Sequence, residues 1–247
     1  DIDFISHQAA LGSVPRSITD PITTNDVNVT GFLNLLTAVK NSKNIKRMVY
    51  AASSSTYGDS ATLPKVEGNE GKPLSPYAVT KLVNELYADV YSKTYDLHTI
   101  GLRYFNIFGP KQNPNNPYAA VIPIFCKAFI NGTAPVINGD GNTSRDFTFV
   151  ENAVQANIKA MLSSSITKHE VMNVACGGQT SLNDIIITLN NITDKNILPT
   201  YIAERQGDVK HSKASISKIV ELLDYNPTIN FEEGLKNVYD WYKANKI

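Results

Sequence analysis

The first 105 residues alternate short apolar runs with amphipathic segments, and this alternation limits the fold more than any other feature. Apolar runs at residues 2–5, 47–52 and 99–105 are predicted strands. Between the first two lies a segment, residues 26–41, with helical spacing of Val29, Phe32, Leu33, Leu36 and Val39. Apolar strands separated by helices are typical of a doubly wound parallel sheet. We therefore predict an α/β protein with a Rossmann-like sheet.

A second helix is marked by its own start signals. Ser75 suits the N-cap and Pro76 the first helical position. Leu82, Leu86 and Val90 continue an apolar face beyond them.

The character of the sequence changes after residue 111, where Asn and Pro crowd residues 112–117. A strand at residues 171–175, a capped helix at 181–191 and a closing amphipathic helix with Leu235, Val238 and Trp241 follow. We expect residues 1–111, with 145–175 returning to them, to form a dinucleotide-binding domain. Residues 112–144 and 176–247 are then expected to form a smaller α/β substrate-binding lobe.

Composition excludes several classes of function. The 23 basic and 23 acidic residues create no net field that would favour nucleic acid or a membrane surface. The sequence has no long apolar run that would span a bilayer. Its two cysteines, Cys126 and Cys176, are too few for a disulfide framework or a metal cluster. We expect a cytoplasmic protein with two reduced, buried thiols and no metal.

Tyr77 and Lys81 carry the main chemical signal. They stand four residues apart on the second helix, so their side chains share one face. A nearby ammonium favours the phenolate and lowers the pKa of a tyrosine that is otherwise near 10. A serine hydroxyl from residues 53–55, at the end of the preceding strand, could share the proton of a substrate alcohol. Alone, the same spacing also fits an ordinary half-exposed helix pair.

The context of this pair resembles a known family. The motifs HQAA, SSSTYG, SPYAVTK, LRYFNIFGP, INGDGNTSRDF and ERQGDV occur in the order found in the extended short-chain dehydrogenase/reductase family of NAD-dependent epimerases and dehydratases. The resemblance covers nearly the whole chain, and it implies NAD as cofactor and a UDP-sugar as substrate.

The resemblance also implies residue roles. Tyr77 is the expected catalytic base and acid, and Lys81 is expected to lower the pKa of Tyr77 and to bind the nicotinamide ribose. Ser54 is the expected catalytic hydroxyl, with Ser53 as the alternative. Tyr77, Lys81 and five further residues are expected to contact the cofactor, the five being His7, Ala9, Ala10, Ala52 and Tyr104. The expected substrate contacts are Ser53, Ser55, Asn106, Gln112, Val121, Arg145, Arg205, Asp208 and Ser212. Planar arginine side chains suit a diphosphate.

The serine loop separates branches of this family. Dehydratases place an Asp-Glu pair after the catalytic hydroxyl, whereas this sequence has Ser55 and Thr56. The Glu of the decarboxylase branch is also absent from the loop. Reversible oxidation at one carbon remains, and the motifs are most similar to bacterial UDP-N-acetylglucosamine 4-epimerases of polysaccharide pathways. Ser212, seven residues after Arg205, is small where a tyrosine narrows galactose-type pockets, so we expect room for an N-acetyl group.

Three alternatives stay open: an epimerase acting at another carbon or on another nucleotide sugar, a keto-sugar reductase, and a non-catalytic nucleotide-binding relative. The family's glycine-rich turn after the first strand is not in this sequence. We therefore expect that about three βα units precede residue 1, and that this chain alone binds NAD poorly and is inactive. The resemblance further implies a homodimer, formed through a four-helix bundle of residues 24–41 and 77–95.

Overall fold

The computed structural model of the protein describes residues 2–115, 120–204 and 210–245. Within them the strands, in chain order, are β1 (Phe4–His7), β2 (Arg47–Ser53), β3 (Thr99–Tyr104), β4 (Ile107–Phe108), β5 (Val136–Asn138), β6 (Ser144–Arg145), β7 (Thr148–Phe149), β8 (Glu170–Val174), β9 (Thr180–Ser181) and β10 (Thr200–Ile202). The α-helices are α1 (Val14–Thr19), α2 (Pro21–Asn25), α3 (Gly31–Asn41), α4 (Pro76–Tyr95), α5 (Val121–Asn131), α6 (Val150–Leu162), α7 (Leu182–Thr193), α8 (Ser217–Leu223) and α9 (Phe231–Ala244). A π-helical turn (Asp26–Thr30) and a 3₁₀ turn (Ser54–Tyr57) complete the set.

The described residues divide into two compact units. Unit 1 comprises residues 1–105, 153–174 and 214–226, and unit 2 comprises residues 106–152, 175–213 and 227–247. Residues 106–111, 145–152 and 175 fall in unit 2 and residues 214–226 in unit 1, whereas the sequence suggested the opposite grouping for these residues. The reasons are local, since β4 pairs with β7 inside unit 2 and α8 packs against β8 inside unit 1.

Unit 1 contains the predicted parallel sheet. Among the described strands its order is β1-β2-β3-β8, and all three pairings are parallel. Burial along β2 and β3 is nearly continuous, as expected for strands covered on both faces. A cluster of apolar side chains from α3, α4 and β2 forms a core on this sheet, and its fully buried members include Phe32, Leu36, Met48 and Tyr50. The Rossmann-like α/β prediction is confirmed.

The predicted start of α4 is also confirmed. The Ser75 hydroxyl accepts a hydrogen bond from the Ala78 amide at 3.2 Å, and Pro76 occupies the first helical position. Such a cap satisfies a backbone donor that the helix itself cannot. The helix runs for 20 residues and ends at Asp96 in the left-handed conformation.

The first predicted helix differs from its prediction. Regular α-helix begins only at Gly31, and the π-helical turn precedes it. A π-turn inserts one residue into the helical repeat and changes the phase of the side chains that come before it. As a result the polar side chain of Asn28 is buried within unit 1.

Unit 2 has a separate core. Its described elements include three short strand pairs, β4-β7, β5-β10 and β6-β9, and the helices α5, α7 and α9. Their apolar faces meet in a cluster that includes Phe125, Phe129, Ile185, Leu189 and Val238. The predicted closing helix is present, with Leu235 and Val238 fully buried and Trp241 packed at the edge of the cluster.

The remaining expectations concern two substrate contacts, the cysteines and membrane-spanning helices. The expected contacts Arg205 and Asp208 lie outside the described residues. Cys126 is buried as expected, but Cys176 is only partly buried, and both are free thiols. Within the described ranges no helix combines the length and the apolar character needed to cross a bilayer.

Candidate active site

The carboxyl ends of β1, β2 and β3 bring several predicted site residues to one edge of the sheet. In the register of the parallel strands, Ser53 at the end of β2 lies opposite Tyr104 at the end of β3. His7 ends β1 on the other side of β2, opposite Tyr50. Ligands of parallel α/β sheets bind at this edge, because the connecting loops and helix N-termini meet there.

Ser53 organises the serine loop. Its side chain caps the 3₁₀ turn by accepting a hydrogen bond from the Ser55 amide at 3.2 Å, and the Ser55 hydroxyl donates to Ser53 Oγ at 2.9 Å. The Ser53 hydroxyl also lies close enough to the phenol of Tyr77 to lower its pKa. The Ser54 side chain is half-buried and has no hydrogen-bonding partner among the described residues. Of the two candidate hydroxyls, that of Ser53 is therefore the one that influences Tyr77.

Tyr77 and Lys81 share a face of α4, as the sequence spacing predicts. The ammonium of Lys81 lies 6.0 Å from the ring centroid of Tyr77. Lys81 is almost completely buried, and its ammonium donates a hydrogen bond to the Ala51 carbonyl of β2 at 2.7 Å. This contact fixes the charged group next to the strand that carries Ser53.

The electrostatics of the pair differ from the expectation. Burial raises the pKa of Tyr77 above its usual value, and the nearby Ser53 hydroxyl only partly opposes that rise. Burial lowers the pKa of Lys81 to about 8, against the opposing charge of Glu85. The expected net lowering of the Tyr77 pKa by Lys81 is thus not seen, because desolvation of the phenolate outweighs an ammonium held at 6.0 Å from the ring.

His7 lies beside the same group. Burial, and secondarily the charge of Lys81, lower the pKa of His7, so its ring is neutral at physiological pH. The ring packs against Phe32 with centroids 5.7 Å apart. Of the other expected cofactor contacts, Ala52 is buried within β2, Ala9 is exposed and Ala10 is half-buried just after β1.

The hydroxyl of Tyr104 is held by two amide side chains that the sequence analysis did not select. It donates to Gln8 Oε1 at 3.1 Å and accepts from Asn157 Nδ2 at 2.7 Å. Gln8 Nε2 in turn donates to Asn157 Oδ1 at 3.0 Å, which closes a ring of hydrogen bonds. Asn157 is far from Gln8 in sequence, so no local pattern indicates this ring.

Asn28 is a further residue that the sequence analysis missed. Its amide clamps the backbone after β1, accepting from the Leu11 amide at 2.8 Å and donating to the Leu11 carbonyl at 3.2 Å. It also donates to the hydroxyl of Thr80 at 3.1 Å, on α4 between Tyr77 and Lys81. The sequence does contain a local sign of this residue. Asn28 is a polar residue that interrupts the apolar face of the predicted helix at residues 26–41, three positions before Gly31.

In unit 2, three expected substrate contacts line one cavity of about 290 Å³: Asn106, Val121 and Arg145. The cavity wall is otherwise mainly apolar, with Phe108, Phe125, Phe147, Leu182 and neighbouring residues. Arg145 Nη1 donates to the Ser144 and Lys210 carbonyls at 2.9 and 3.3 Å. Asn106 adopts a positive φ of 41° and donates to the Asp146 carbonyl at 3.2 Å.

Two expected substrate contacts do not line this cavity. Gln112 closes its own turn, since its amide donates to the Ile107 carbonyl at 3.2 Å and accepts from the Gly109 amide at 3.4 Å. Ser212 is half-buried, and its backbone amide donates to the Ser144 carbonyl at 3.1 Å. Ser212 is therefore adjacent to the strand that carries Arg145.

The donor set at the carboxyl edge of the sheet fits a nicotinamide dinucleotide. An ammonium has three N–H donors, and Lys81 uses one on the Ala51 carbonyl. The remaining two can bind the adjacent hydroxyls of a ribose. Lys81, the neutral ring of His7 and the phenols of Tyr77 and Tyr104 are the residues that would hold the nicotinamide end.

Comparison with known proteins places the chain in a family. Residues 1–175 match the sequence profile of the NAD dependent epimerase/dehydratase family. The structure is similar, with a TM-score of 0.94 and 40% identity, to a UDP-N-acetylglucosamine 4-epimerase from Methanobrevibacter ruminantium in complex with UDP-N-acetylmuramic acid, over 99% of this chain and 78% of that one.

Two further similarities agree with this match. A UDP-glucuronic acid 4-epimerase from Bacillus cereus, solved with UDP-glucuronic acid and NAD, has a TM-score of 0.91 at 32% identity over 99% of this chain and 76% of that one. A UDP-glucuronate 4-epimerase of Thermodesulfobacterium geofontis is 33% identical over 99% of this chain and 73% of its own length. The chain belongs to the NAD dependent epimerase/dehydratase family.

Proposed function

We propose that the protein is a UDP-sugar 4-epimerase whose preferred substrates are UDP-N-acetylglucosamine and UDP-N-acetylgalactosamine. NAD, when bound, would supply the hydride acceptor and donor for C4 of the sugar, and return of the hydride to the opposite face would invert that carbon. The observation that carries the proposal is the group of Ser53, Tyr77 and Lys81 at the carboxyl edge of the parallel sheet, in which Ser53 and Lys81 are buried and Tyr77 is half-buried.

The three side chains of this group have complementary tasks in proton transfer. The C4 hydroxyl must lose its proton as hydride leaves the same carbon. Ser53, whose hydroxyl lies close enough to the Tyr77 phenol to lower its pKa, can pass the proton between the sugar hydroxyl and the phenol oxygen. Lys81 supplies a fixed positive charge that favours the phenolate. When hydride returns, Tyr77 gives the proton back to the C4 oxygen.

Unit 2 supports nucleotide binding. The cavity lined by Asn106, Val121 and Arg145 is apolar over most of its wall and carries few polar groups, as is common in sites that bind a planar base. Arg145 offers a cation at this cavity, which suits a diphosphate. Arg205 and Asp208 are proposed as further contacts from the sequence motif ERQGDV alone.

The choice of sugar rests on two observations. The 40% identity is to an enzyme named for UDP-N-acetylglucosamine, compared with 32–33% for two enzymes named for the glucuronate sugar. Ser212 has a small side chain beside the strand of Arg145, and the family resemblance puts this position at the sugar pocket, where a small side chain would leave space for an N-acetyl group. Room for a larger substituent is the physical basis of this preference.

The proposal is tested with full-length protein and a panel of UDP-sugars. We expect turnover of UDP-N-acetylglucosamine to exceed that of UDP-glucose and UDP-glucuronate, with the C4 epimer as product by NMR. Equal or faster turnover of UDP-glucose would refute the sugar assignment. A product altered at another carbon, or a net reduced sugar, would refute 4-epimerisation.

Tyr77→Phe is the matched test of mechanism. It removes only the phenolic oxygen, so we expect turnover to be abolished while UDP binding, measured by calorimetry, is retained. Unchanged turnover would refute the role of Tyr77. Substrate binding without turnover in the unmodified protein would instead support the non-catalytic alternative.

We further propose that the protein is a homodimer through α3 and α4. Val79, Leu86 and Val90 of α4 lie on one face and are about half exposed, at 48%, 58% and 53%. A contiguous exposed apolar stripe on a long helix favours a helical interface. Leu86→Lys is expected to shift light-scattering mass from dimer to monomer, whereas a monomeric unmodified protein would refute the dimer.

A further inference from the structure

The face of α4 that carries Lys81 also carries Glu85, which belongs to a buried ion cluster to which the proton-transfer scheme gives no task. Arg103 of β3 donates from Nε to Glu85 Oε1 at 2.9 Å and from Nη2 to Glu85 Oε2 at 2.7 Å. The other terminal nitrogen of Arg103 bonds to Glu70. Arg103 and Glu85 are each less than a tenth exposed. Buried charges are costly unless they are paired, so this cluster invites a functional explanation.

Glu85 follows Lys81 by one helical turn. A four-residue separation puts both side chains on one face of α4. Both are nearly fully buried, at 6% and 3% exposure. The described ion pairs do not include a direct contact between them, so the carboxylate acts on the ammonium through space. Because the surroundings are poorly solvated, such an interaction is weakly screened.

The groups that face Lys81 come from three elements. His7 of β1 is neutral at physiological pH, the Ala51 carbonyl of β2 accepts its hydrogen bond, and α4 contributes Tyr77 and Glu85. Burial lowers the pKa of Lys81 to about 8, and Glu85 is the acidic residue that opposes this fall. Without an opposing charge, a lysine this deeply buried loses its proton closer to neutral pH.

Arg103 fixes the position of this carboxylate. The two-pronged contact leaves Glu85 little freedom to turn away. The guanidinium of Arg103 also lies 4.9 Å from the ring centroid of Tyr57, the last residue of the serine turn. One cation therefore supports both the helix of Lys81 and the turn that follows Ser53.

We propose that Glu85 is a positioning residue that keeps Lys81 positively charged, and that Arg103 holds its carboxylate in place for this task. The inference rests on the proposed function, in which the charge of Lys81 supports the phenolate of Tyr77. The buried ion cluster then contributes to the electrostatics of the site as well as to the stability of the fold.

The test is a direct titration of Lys81. Lysines are isotope-labelled at Cε, the Lys81 signal is identified by its loss in Lys81→Arg, and its chemical shift is followed by NMR from neutral to alkaline pH. In Glu85→Gln we expect the midpoint to fall by about one pH unit, at the lower end of the usual effect of a nearby opposite charge. Glu70→Gln is the matched control, because Glu70 also pairs with Arg103 but lies in the loop before α4. Its titration midpoint should stay within about 0.3 units of the unmodified protein.

Two more variants keep the test decisive. Glu85→Asp retains the negative charge, so its Lys81 midpoint should lie closer to that of the unmodified protein than to that of Glu85→Gln. If Glu85→Gln does not fold, Glu85→Gln combined with Arg103→Met removes both buried charges and should still lower the midpoint, since the Glu85 carboxylate, one helical turn from Lys81, is the charge that raises the Lys81 pKa. An unchanged midpoint in the folded Glu85 variants, or an equal fall in Glu70→Gln, overturns the inference.

The titration does not depend on turnover, so it separates this inference from the proposed function. If the midpoint falls in Glu85→Gln but Lys81→Met retains full epimerase activity, the proposed function fails and the electrostatic role of Glu85 stands. If the midpoint falls in Glu85→Gln and Lys81→Met loses epimerase activity, both the inference and the proposed function stand. The alkaline limb of kcat/KM in Glu85→Gln should then move to lower pH by the same interval as the Lys81 midpoint.

Discussion

Replacing Ser53 by alanine removes the hydroxyl that caps the 3₁₀ turn and that lowers the pKa of Tyr77. The turn loses its cap on the Ser55 amide, which costs about 1 kcal/mol of unfolding free energy. The phenolate of Tyr77 also loses the stabilising hydroxyl beside it, and a hydrogen bond to a charged group commonly contributes about 1.5–3 kcal/mol. The stability loss is small because Tyr77 remains protonated in the resting protein, where burial raises its pKa.

Turnover responds much more strongly than stability. Loss of a proton-transfer partner reduces rates on the order of a hundredfold to ten-thousandfold. Because the Ser53 hydroxyl lowers the pKa of Tyr77, its removal moves that pKa further upward. We therefore expect the rising limb of kcat/KM in Ser53→Ala to move to higher pH.

Ser54→Ala is the matched control in the assay. Its hydroxyl is one residue away and has no side-chain partner among the described residues, so we expect a change below about 0.5 kcal/mol in stability and about twofold in rate. Initial rates with UDP-N-acetylglucosamine and urea unfolding are measured for both variants. A larger rate loss in Ser54→Ala than in Ser53→Ala would refute the assignment of Ser53.

Three further predictions concern stability and pH. Arg47→Met should lower the unfolding free energy in urea by about 3 kcal/mol, because the guanidinium caps the carbonyls at the end of α6, and Arg47→Lys should recover less than half of the loss. Asn28→Ala should lower the unfolding free energy by about 3 kcal/mol and slow turnover, since three hydrogen bonds are lost. Replacement of the exposed Asn34 by alanine should leave both the unfolding free energy and turnover without a measurable change. Burial lowers the pKa of His169 from 6.5 to about 4, so the unfolded chain binds the extra proton first and stability falls as the pH drops from about 6.5 towards 4. The loss should approach about 3 kcal/mol by urea unfolding and should vanish in His169→Asn, while a flat profile in the unmodified protein would contradict the burial argument.

Much of unit 1 is predictable because its signals are local. Ser75 and Pro76 mark the start of α4 through contacts within one turn, and apolar runs mark the strands without knowledge of their partners. The pairing of Tyr77 with Lys81 follows from helical spacing alone. These features depend on residues less than five positions apart.

The missed features depend on distant residues or on small changes of phase. Gln8 and Asn157 meet only because the fold brings β1 and α6 together. The π-helical turn moves Asn28 relative to the regular repeat, which spacing rules for an α-helix do not include. Consecutive serines are equivalent by composition, and Ser53 differs from Ser54 only because β2 ends and the 3₁₀ turn begins between them.

The course of the chain through the two units has a consequence for synthesis on the ribosome. Each unit is assembled from three separated stretches, and residues 214–226 of unit 1 emerge after most of unit 2. Helix α8, which packs against β8, is therefore absent while the preceding 200 or so residues leave the exit tunnel. Neither unit can be completed before nearly all of the chain is translated, so the nascent protein must protect the open face of β8 until a late stage.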